Sequence, residues 1–267
     1  MILLLAVVTL GFLVFMLAGW AFQRARNNGG WTDVFWSFGM GLAGVAVALW
    51  PLQPGPPSLR QWLAASLVGA WALRVGVHIA MRVTHSSEDA RYAQMREQFG
   101  TRFQAFMALF LPAQALVSVP LVGAVMLAAR RPGAHLGPFD LAGALILAIA
   151  VLGEGAADRQ LDVFKADPRN RGRVCDVGLW SWSRHPNYFF EWLGWLTYPV
   201  IAIDPAGAWP QGWLTLLGPL TMWLLLNFLS GVPPLEAHML RSRGEAFRDY
   251  QRRTSAFFPL PPKRKGA

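Results

Sequence analysis

The chain has 267 residues, 54% of them hydrophobic, with 13 Trp, 17 Phe and only 15% charged, which excludes an ordinary soluble domain and fits a polytopic membrane protein. Its single cysteine, Cys175, excludes a disulfide framework and any Cys-based zinc or iron–sulfur centre. The formal charge of +9 is carried by loops between apolar segments, a distribution that argues for membrane orientation and against a nucleic-acid surface.

Seven apolar segments are predicted to cross a bilayer, at about 2–22, 32–51, 61–81, 103–129, 139–157, 187–203 and 211–231, each near the roughly 20 residues that a spanning helix needs. The first has no basic residue ahead of its apolar run and no small-residue cleavage site, so it reads as a retained span rather than a signal peptide. The second opens on Trp31-Thr-Asp33-Val-Phe-Trp36 and contains Gly39-Met-Gly-Leu-Ala-Gly44. That GxGxxG pattern lacks the preceding strand of a dinucleotide-binding turn, and small residues inside a span read as a helix-packing face. In the third segment Arg74, His78 and Arg82 recur at helical spacing on one face, which should turn away from lipid. Asp33 and Arg74 read equally well as a register-fixing buried pair or as site residues. His78 and Arg82, nearer the basic end, read as ligand contacts. Pro112 and Pro120 predict that the fourth segment is kinked, or shorter with an interfacial entry.

Charge sets the orientation. With the N-terminus outside, 20 of the 24 Lys and Arg residues fall in the inside loops and the C-terminal tail. Arg60, Arg130 and Arg131 fall outside, and Arg74 lies within a span. The expected fold is therefore all-α: one integral membrane domain over 1–267, seven transmembrane helices, N-terminus outside and C-terminus cytosolic.

The stretch Gly178-Leu-Trp-Ser-Trp-Ser-Arg-His-Pro-Asn-Tyr-Phe-Phe-Glu191 places polar chemistry at the mouth of an apolar segment, and ionisable groups in such a place are functional by default. Arg184 and His185 suit an anion, Asn187 and Tyr188 an amide or hydroxyl, and Glu191 lies one turn beyond Asn187. The same predicted face carries Asp158, Lys165, Arg169, Arg171 and Arg173, and in the tail Glu236, His238 and Arg241. Arginine offers a planar fork for phosphate, so a phosphate-bearing ligand taken from the cytosol fits this set. A surface that only attracts lipid headgroups has no use for the interleaved Asp158, Asp167, Glu236, His238 and Asp249. The five histidines are scattered, so no metal site is expected.

Arg184-His-Pro-Asn-Tyr-Phe-Phe-Glu191 after Gly178-Leu-Trp180, with Phe247-Arg-Asp-Tyr-Gln-Arg-Arg-Thr-Ser-Ala-Phe-Phe-Pro259, resembles the steroid 5-alpha-reductase family, and more closely its bacterial branch. Asp158-Arg-Gln-Leu-Asp-Val-Phe-Lys165 and Glu88-Asp-Ala-Arg-Tyr92 are similar to that branch too, and the likeness is strongest over about 150–260. The resemblance implies a seven-helix membrane reductase that uses NADPH to reduce a double bond conjugated to a ketone, most simply in a 3-oxo-Δ4-steroid entering from the membrane. It carries cofactor contacts onto Arg82, Asp158, Lys165, Asn187, Tyr188, Glu191 and Trp195, and more loosely onto His238 and Arg241. Beside these, His185 is expected at the cofactor, with Lys165, Arg169 and Arg173 at its phosphates and Asn187 and Glu191 at its carboxamide.

The family's Gln-Glu pair and Tyr at the substrate carbonyl are not matched; the nearest positions offer Asp33 and Val34, and His78 or Ile79. Asp33, His78 and Glu191 are the candidates for the chemical step. Isoprenylcysteine and phospholipid methyltransferases resemble the same Arg-His-Pro-x-Tyr region, so an S-adenosylmethionine-dependent enzyme is the alternative. A non-catalytic membrane scaffold is a third reading. The expected location is a bacterial inner membrane with the cofactor site facing the cytosol, and the Lys263-Arg-Lys265 tail would suit a retrieval signal elsewhere.

Overall fold

A computed structural model of the chain describes residues 1–52, 54–85, 88–133 and 135–263. Arg264 and Lys265 of the tail lie outside the described residues. These hold α-helices and no strand: α1 (Ile2–Arg26), α2 (Trp31–Leu49), α3 (Leu59–His85), α4 (Ala90–Phe99), α5 (Phe103–Val117), α6 (Val119–Ala129), α7 (Pro138–Ala166), α8 (Pro186–Trp195), α9 (Thr197–Ala202), α10 (Leu217–Leu224), α11 (Val232–Arg243) and α12 (Glu245–Arg253). Among the described residues six stretches are long and apolar enough to cross a membrane: α1, α2, α3, Ala90–Ala129, α7 and Pro210–Arg243. The segment expected as the sixth span is divided into α8 and α9 and is not among the six. Pro199, lacking an N–H, cannot bond the Trp195 carbonyl one turn back, which accounts for the break at Leu196. The fourth stretch tolerates Pro112 inside α5 and breaks at Ser118, with Pro120 in the first turn of α6.

The outward faces are apolar. α1 exposes Ile2, Leu3, Val7, Leu10, Val14 and Leu17, and α7 exposes Leu141, Leu145, Ile149 and Leu152 along one face. In water such patches would drive association; a hydrocarbon phase makes them neutral. The opposite face of α1, with Leu4, Phe12, Met16, Gly19 and Gln23, is buried.

The chain forms two compact units. Unit 1 comprises Met1–Ala144 and Leu196–Thr221, unit 2 Leu145–Trp195 and Met222–Ala267. In unit 1, α2 packs on α1, α3 and α6. The glycines of the GxGxxG segment make this close approach: Gly39 meets Phe12, Gly41 meets Ala72 and Gly44 meets Val68 so tightly that a Cβ would collide. They are a packing face, as expected.

Each end of unit 1 is closed by charge. At one end Arg60 donates from Nε to Asp140 Oδ1 at 2.7 Å and from Nη2 to Oδ2 at 2.9 Å, and its remaining bonds go to the carbonyls of Arg131, Pro132, Gly133 and His135. Arg131 adds a bond to Asp140 at 2.9 Å, and Arg130 caps the end of α2 through the carbonyls of Val47 and Trp50. Arg60 is 4% exposed and Asp140 0%. The three arginines that dissent from the charge bias thus hold the α2–α3 and α6–α7 connections together. At the other end Arg91 donates to Asp33 at 2.7 Å, Tyr92 Oη donates to the second Asp33 oxygen at 2.7 Å, and Glu88 receives Arg96 and the Gly29 N–H.

In unit 2, α8 runs antiparallel along α7. Asn187 lies opposite Asp158, Phe190 fits against Gly153, and Gly194 meets Ala150 and Leu147. The chain after α12 returns over the start of α8: Arg184 N–H donates to the Ser255 carbonyl at 2.8 Å, Ser183 Oγ donates to the Phe257 carbonyl at 2.8 Å, and Leu260 N–H donates to the Trp182 carbonyl at 3.0 Å.

Candidate functional site

Unit 2 gathers most of the expected cofactor residues: Asp158, Lys165, Arg169, Arg173, His185, Asn187, Tyr188, Glu191, Trp195, His238 and Arg241. Asp33, His78 and Arg82 belong to unit 1. The connection before α8 is built on α7. Gly178 has φ +58° and lies so close to Gln160 that a side chain would strike the amide, so both conformation and space call for glycine. Gln160 Oε1 then accepts the Leu179 N–H at 2.8 Å, and Trp180 Nε1 donates to the Ala157 carbonyl at 2.9 Å. Tyr250 of α12 is buried, donates to the Trp180 carbonyl, and has its phenol pushed well above the usual range by burial.

These contacts fix the Arg184–His185 pair. Arg184 Nε donates to Glu236 Oε1 at 2.7 Å and its Nη1 donates to the carbonyls of Gln251 and Thr254. His185 Nε2 lies 3.0 Å from the same Glu236 oxygen, and Gln251 Nε2 donates to Glu236 Oε2 at 2.7 Å. The pair expected at an anion therefore meets an internal carboxylate. His185 is 2% exposed, its ring stacks parallel on Tyr188 at 5.4 Å, and burial pulls its pKa below the ordinary histidine value. Its Nδ1 finds no hydrogen-bond partner among the described residues.

One turn on, Asn187 Nδ2 donates to Asp158 at 3.5 Å, the outer limit of a hydrogen bond, while its buried Oδ1 has no partner among the described residues. Glu191 accepts the indole N–H of the buried Trp195 at 3.0 Å, so its carboxylate is held in one direction. Lys165, Arg169 and Arg173 are exposed around the end of α7 and the turn at Pro168–Asn170. Arg169 is 88% exposed and, among the described residues, bonded to Asp167, whose pKa it lowers through that hydrogen bond. His238 is half-buried and Arg241 exposed on α11, the helix that supplies Glu236.

In unit 1, Asp33 accepts from Arg91 and Tyr92 rather than serving as a free acid. His78 is half-buried on α3, and Arg82 is exposed and bonded to Asp89 at 3.3 Å. Burial alone would raise the pKa of Asp89, but Arg91 and Arg82 hold it below the usual range. Residue types and spacing indicated the Arg184–Glu191 stretch but not Gln160, Tyr250 or Gln251, which position it. Glu236 counted only as one acid among basic residues, and its hydrogen bonds to Arg184 and His185 reach across 52 and 51 positions. No group of three or more His, Cys, Asp or Glu side chains among the described residues could hold a metal ion.

No curated protein and no solved structure matches the chain. Residues 19–254 match the family described as "Protein of unknown function (DUF1295)". That match reaches into both units and takes in every residue named at the site, and the chain belongs to the DUF1295 family.

Proposed function

We propose that this chain is an integral membrane reductase that takes NADPH from the cytosolic side and reduces the double bond of an enone lipid, most simply a 3-oxo-Δ4-steroid. The observation that carries the reading is the α7–α8 constellation. Asn187 keeps a buried Oδ1 with no partner among the described residues, opposite Asp158 and one turn from a fixed Glu191, with Lys165, Arg169 and Arg173 exposed in the same unit. An orphaned buried acceptor is costly unless a ligand meets it, and a dinucleotide carries both an amide donor and the phosphates that the cations suit. Asn187 and Glu191 would hold the carboxamide, and Lys165, Arg169 and Arg173 the phosphates. Bound NADPH supplies a hydride.

Asp33 already accepts hydrogen bonds from Arg91 and Tyr92, so His78 is the better proposed donor to a substrate oxygen. The seven-span, N-outside reading counts α8 and α9 as one crossing. It is supported by their ordered contacts with α7, from Asn187 at Asp158 down to Thr197 at the Gly143 carbonyl. It is supported too by the internal engagement of the dissenting Arg60, Arg130 and Arg131. A bacterial inner membrane is the proposed location.

The test is cofactor binding to detergent-purified protein, with NADPH and S-adenosylmethionine titrated separately. NADPH should bind, and Asn187→Ala and Lys165→Ala should each weaken it at least tenfold, about 1.4 kcal/mol. Binding of S-adenosylmethionine alone would make the chain a membrane methyltransferase.

A further inference from the structure

Glu236 accepts hydrogen bonds from Arg184 and Gln251 and faces His185 Nε2 with the oxygen that already receives Arg184. A carboxylate engaged in this way is an acceptor only, so the imidazole nitrogen facing it must carry the proton. Burial disfavours a charged ring, which leaves His185 neutral with its lone pair on Nδ1. That atom is buried and has no partner among the described residues, and so is Asn187 Oδ1 two residues away. Both orphaned atoms are acceptors. The stacked Tyr188 ring holds the imidazole in place, and the His185 backbone N–H, bonded to Ser183 Oγ at 3.1 Å, fixes the main chain that carries it.

We infer that Glu236 is a positioning residue that locks His185 in the Nε2–H tautomer, so that Nδ1 accepts a hydrogen bond from a planar N–H₂ donor of the ligand. The motif thus reads a donor, not the anion that an Arg-His pair suggests. This rests on the proposal that unit 2 receives a nucleotide cofactor. Two groups on such a cofactor have the required chemistry, a primary carboxamide and the 6-amino group of adenine. Histidine sites are commonly set this way, with the bond at one nitrogen deciding the role of the other.

The test uses the full chain in detergent, with isotope-labelled histidine and the His185 signals assigned by comparison with His185→Gln. Nitrogen NMR of the free protein should show Nδ1 unprotonated. NADPH should move that resonance in the direction of a hydrogen-bond acceptor, with binding followed in parallel by titration calorimetry. Two analogues separate the sources: NADPH with the carboxamide replaced by a carboxylate, and NADPH with hypoxanthine in place of adenine. The analogue that lacks the operative donor should bind about tenfold more weakly and leave Nδ1 unmoved. Glu236→Gln should mix the tautomers, since an amide can donate where a carboxylate cannot. A protonated Nδ1 in the free protein overturns the inference. So does an unmoved Nδ1 while NADPH binds, which leaves the reductase reading intact. If NADPH fails to bind but S-adenosylmethionine binds and moves Nδ1, the tautomer inference stands and the reductase reading falls. If neither cofactor binds, both fall.

Discussion

Two buried charge clusters, one in each unit, are made of the same residue types and end differently. Around Asp140, Arg60 uses Nε and both terminal nitrogens on a carboxylate and four backbone carbonyls, so the guanidinium is completely engaged within the protein. Around Glu236, Arg184 is engaged in a similar way, but the adjacent His185 and Asn187 each retain a buried acceptor with no partner among the described residues. Around Asp140 the buried side-chain atoms left without a partner among the described residues are donors, Arg130 Nε and Arg131 Nε; around Glu236 they are two acceptors, which suit a donating ligand. Counting unmet donors and unmet acceptors, rather than counting charges, distinguishes the two clusters.

The comparison breaks most visibly at Asp140. Asp140→Asn removes the charge facing Arg60 and Arg131 and leaves a buried guanidinium uncompensated, which should cost about 3 kcal/mol or more. The expected result is a large drop in the thermal midpoint of the detergent-purified protein, with NADPH affinity preserved in the fraction that remains folded. A midpoint within a degree or two of wild type would mean that the cluster is not holding unit 1 together.

The second effect is smaller and belongs to His185. Its pKa is lowered by burial below the ordinary value of 6.5, so the unfolded chain binds the proton more readily than the folded one. Stability is then fully present above about pH 6.5 and falls on acidification towards the folded pKa, by at most about 1.4 kcal/mol per pH unit. Melting curves between pH 7.5 and 5.5 should show a declining midpoint that His185→Gln flattens. An equally steep decline in that variant would assign the effect to other groups.

The two clusters were unequally legible in the sequence. Helical class and most spans follow from apolar runs near the length of a bilayer, which is why α1, α2 and α3 lie close to their expected bounds, while α7 runs nine residues past the expected end at 157. The division of 187–203 was hidden because Trp195, Leu196, Tyr198 and Ile201 keep the segment apolar while Pro199 interrupts its hydrogen bonding. The Arg184–Glu191 stretch stood out because polar groups at a span mouth are rare. Its dependence on Glu236 did not, since that contact exists only after α11 packs beside it in unit 2. Asp33 reads from the sequence equally well as a register-fixing partner of Arg74 or as a site residue. Its bonds to Arg91 and Tyr92, which α4 presents after a capping bond from Arg91 N–H to Asp89, were not foreseen. Local periodicity gives the face of a residue but not its distant partner.

The smallest effect on stability, and the sharpest contrast with Arg60, is expected at Arg169. This arginine is solvent-exposed and its bonds go to Asp167, two residues away, a pairing of the kind that contributes little to stability. Arg169→Gln should leave the thermal midpoint unchanged. If the exposed cations of this turn meet the phosphates of NADPH, the same substitution should weaken binding several-fold at low salt and less at high salt, because exposed charges are screened. Arg60→Gln should do the reverse, lowering the midpoint and leaving the salt dependence of binding untouched. An Arg169→Gln variant that binds NADPH as wild type does, at every ionic strength, would remove this residue from the cofactor site. Lys165 and Arg173 would then be the remaining expected contacts for the phosphates.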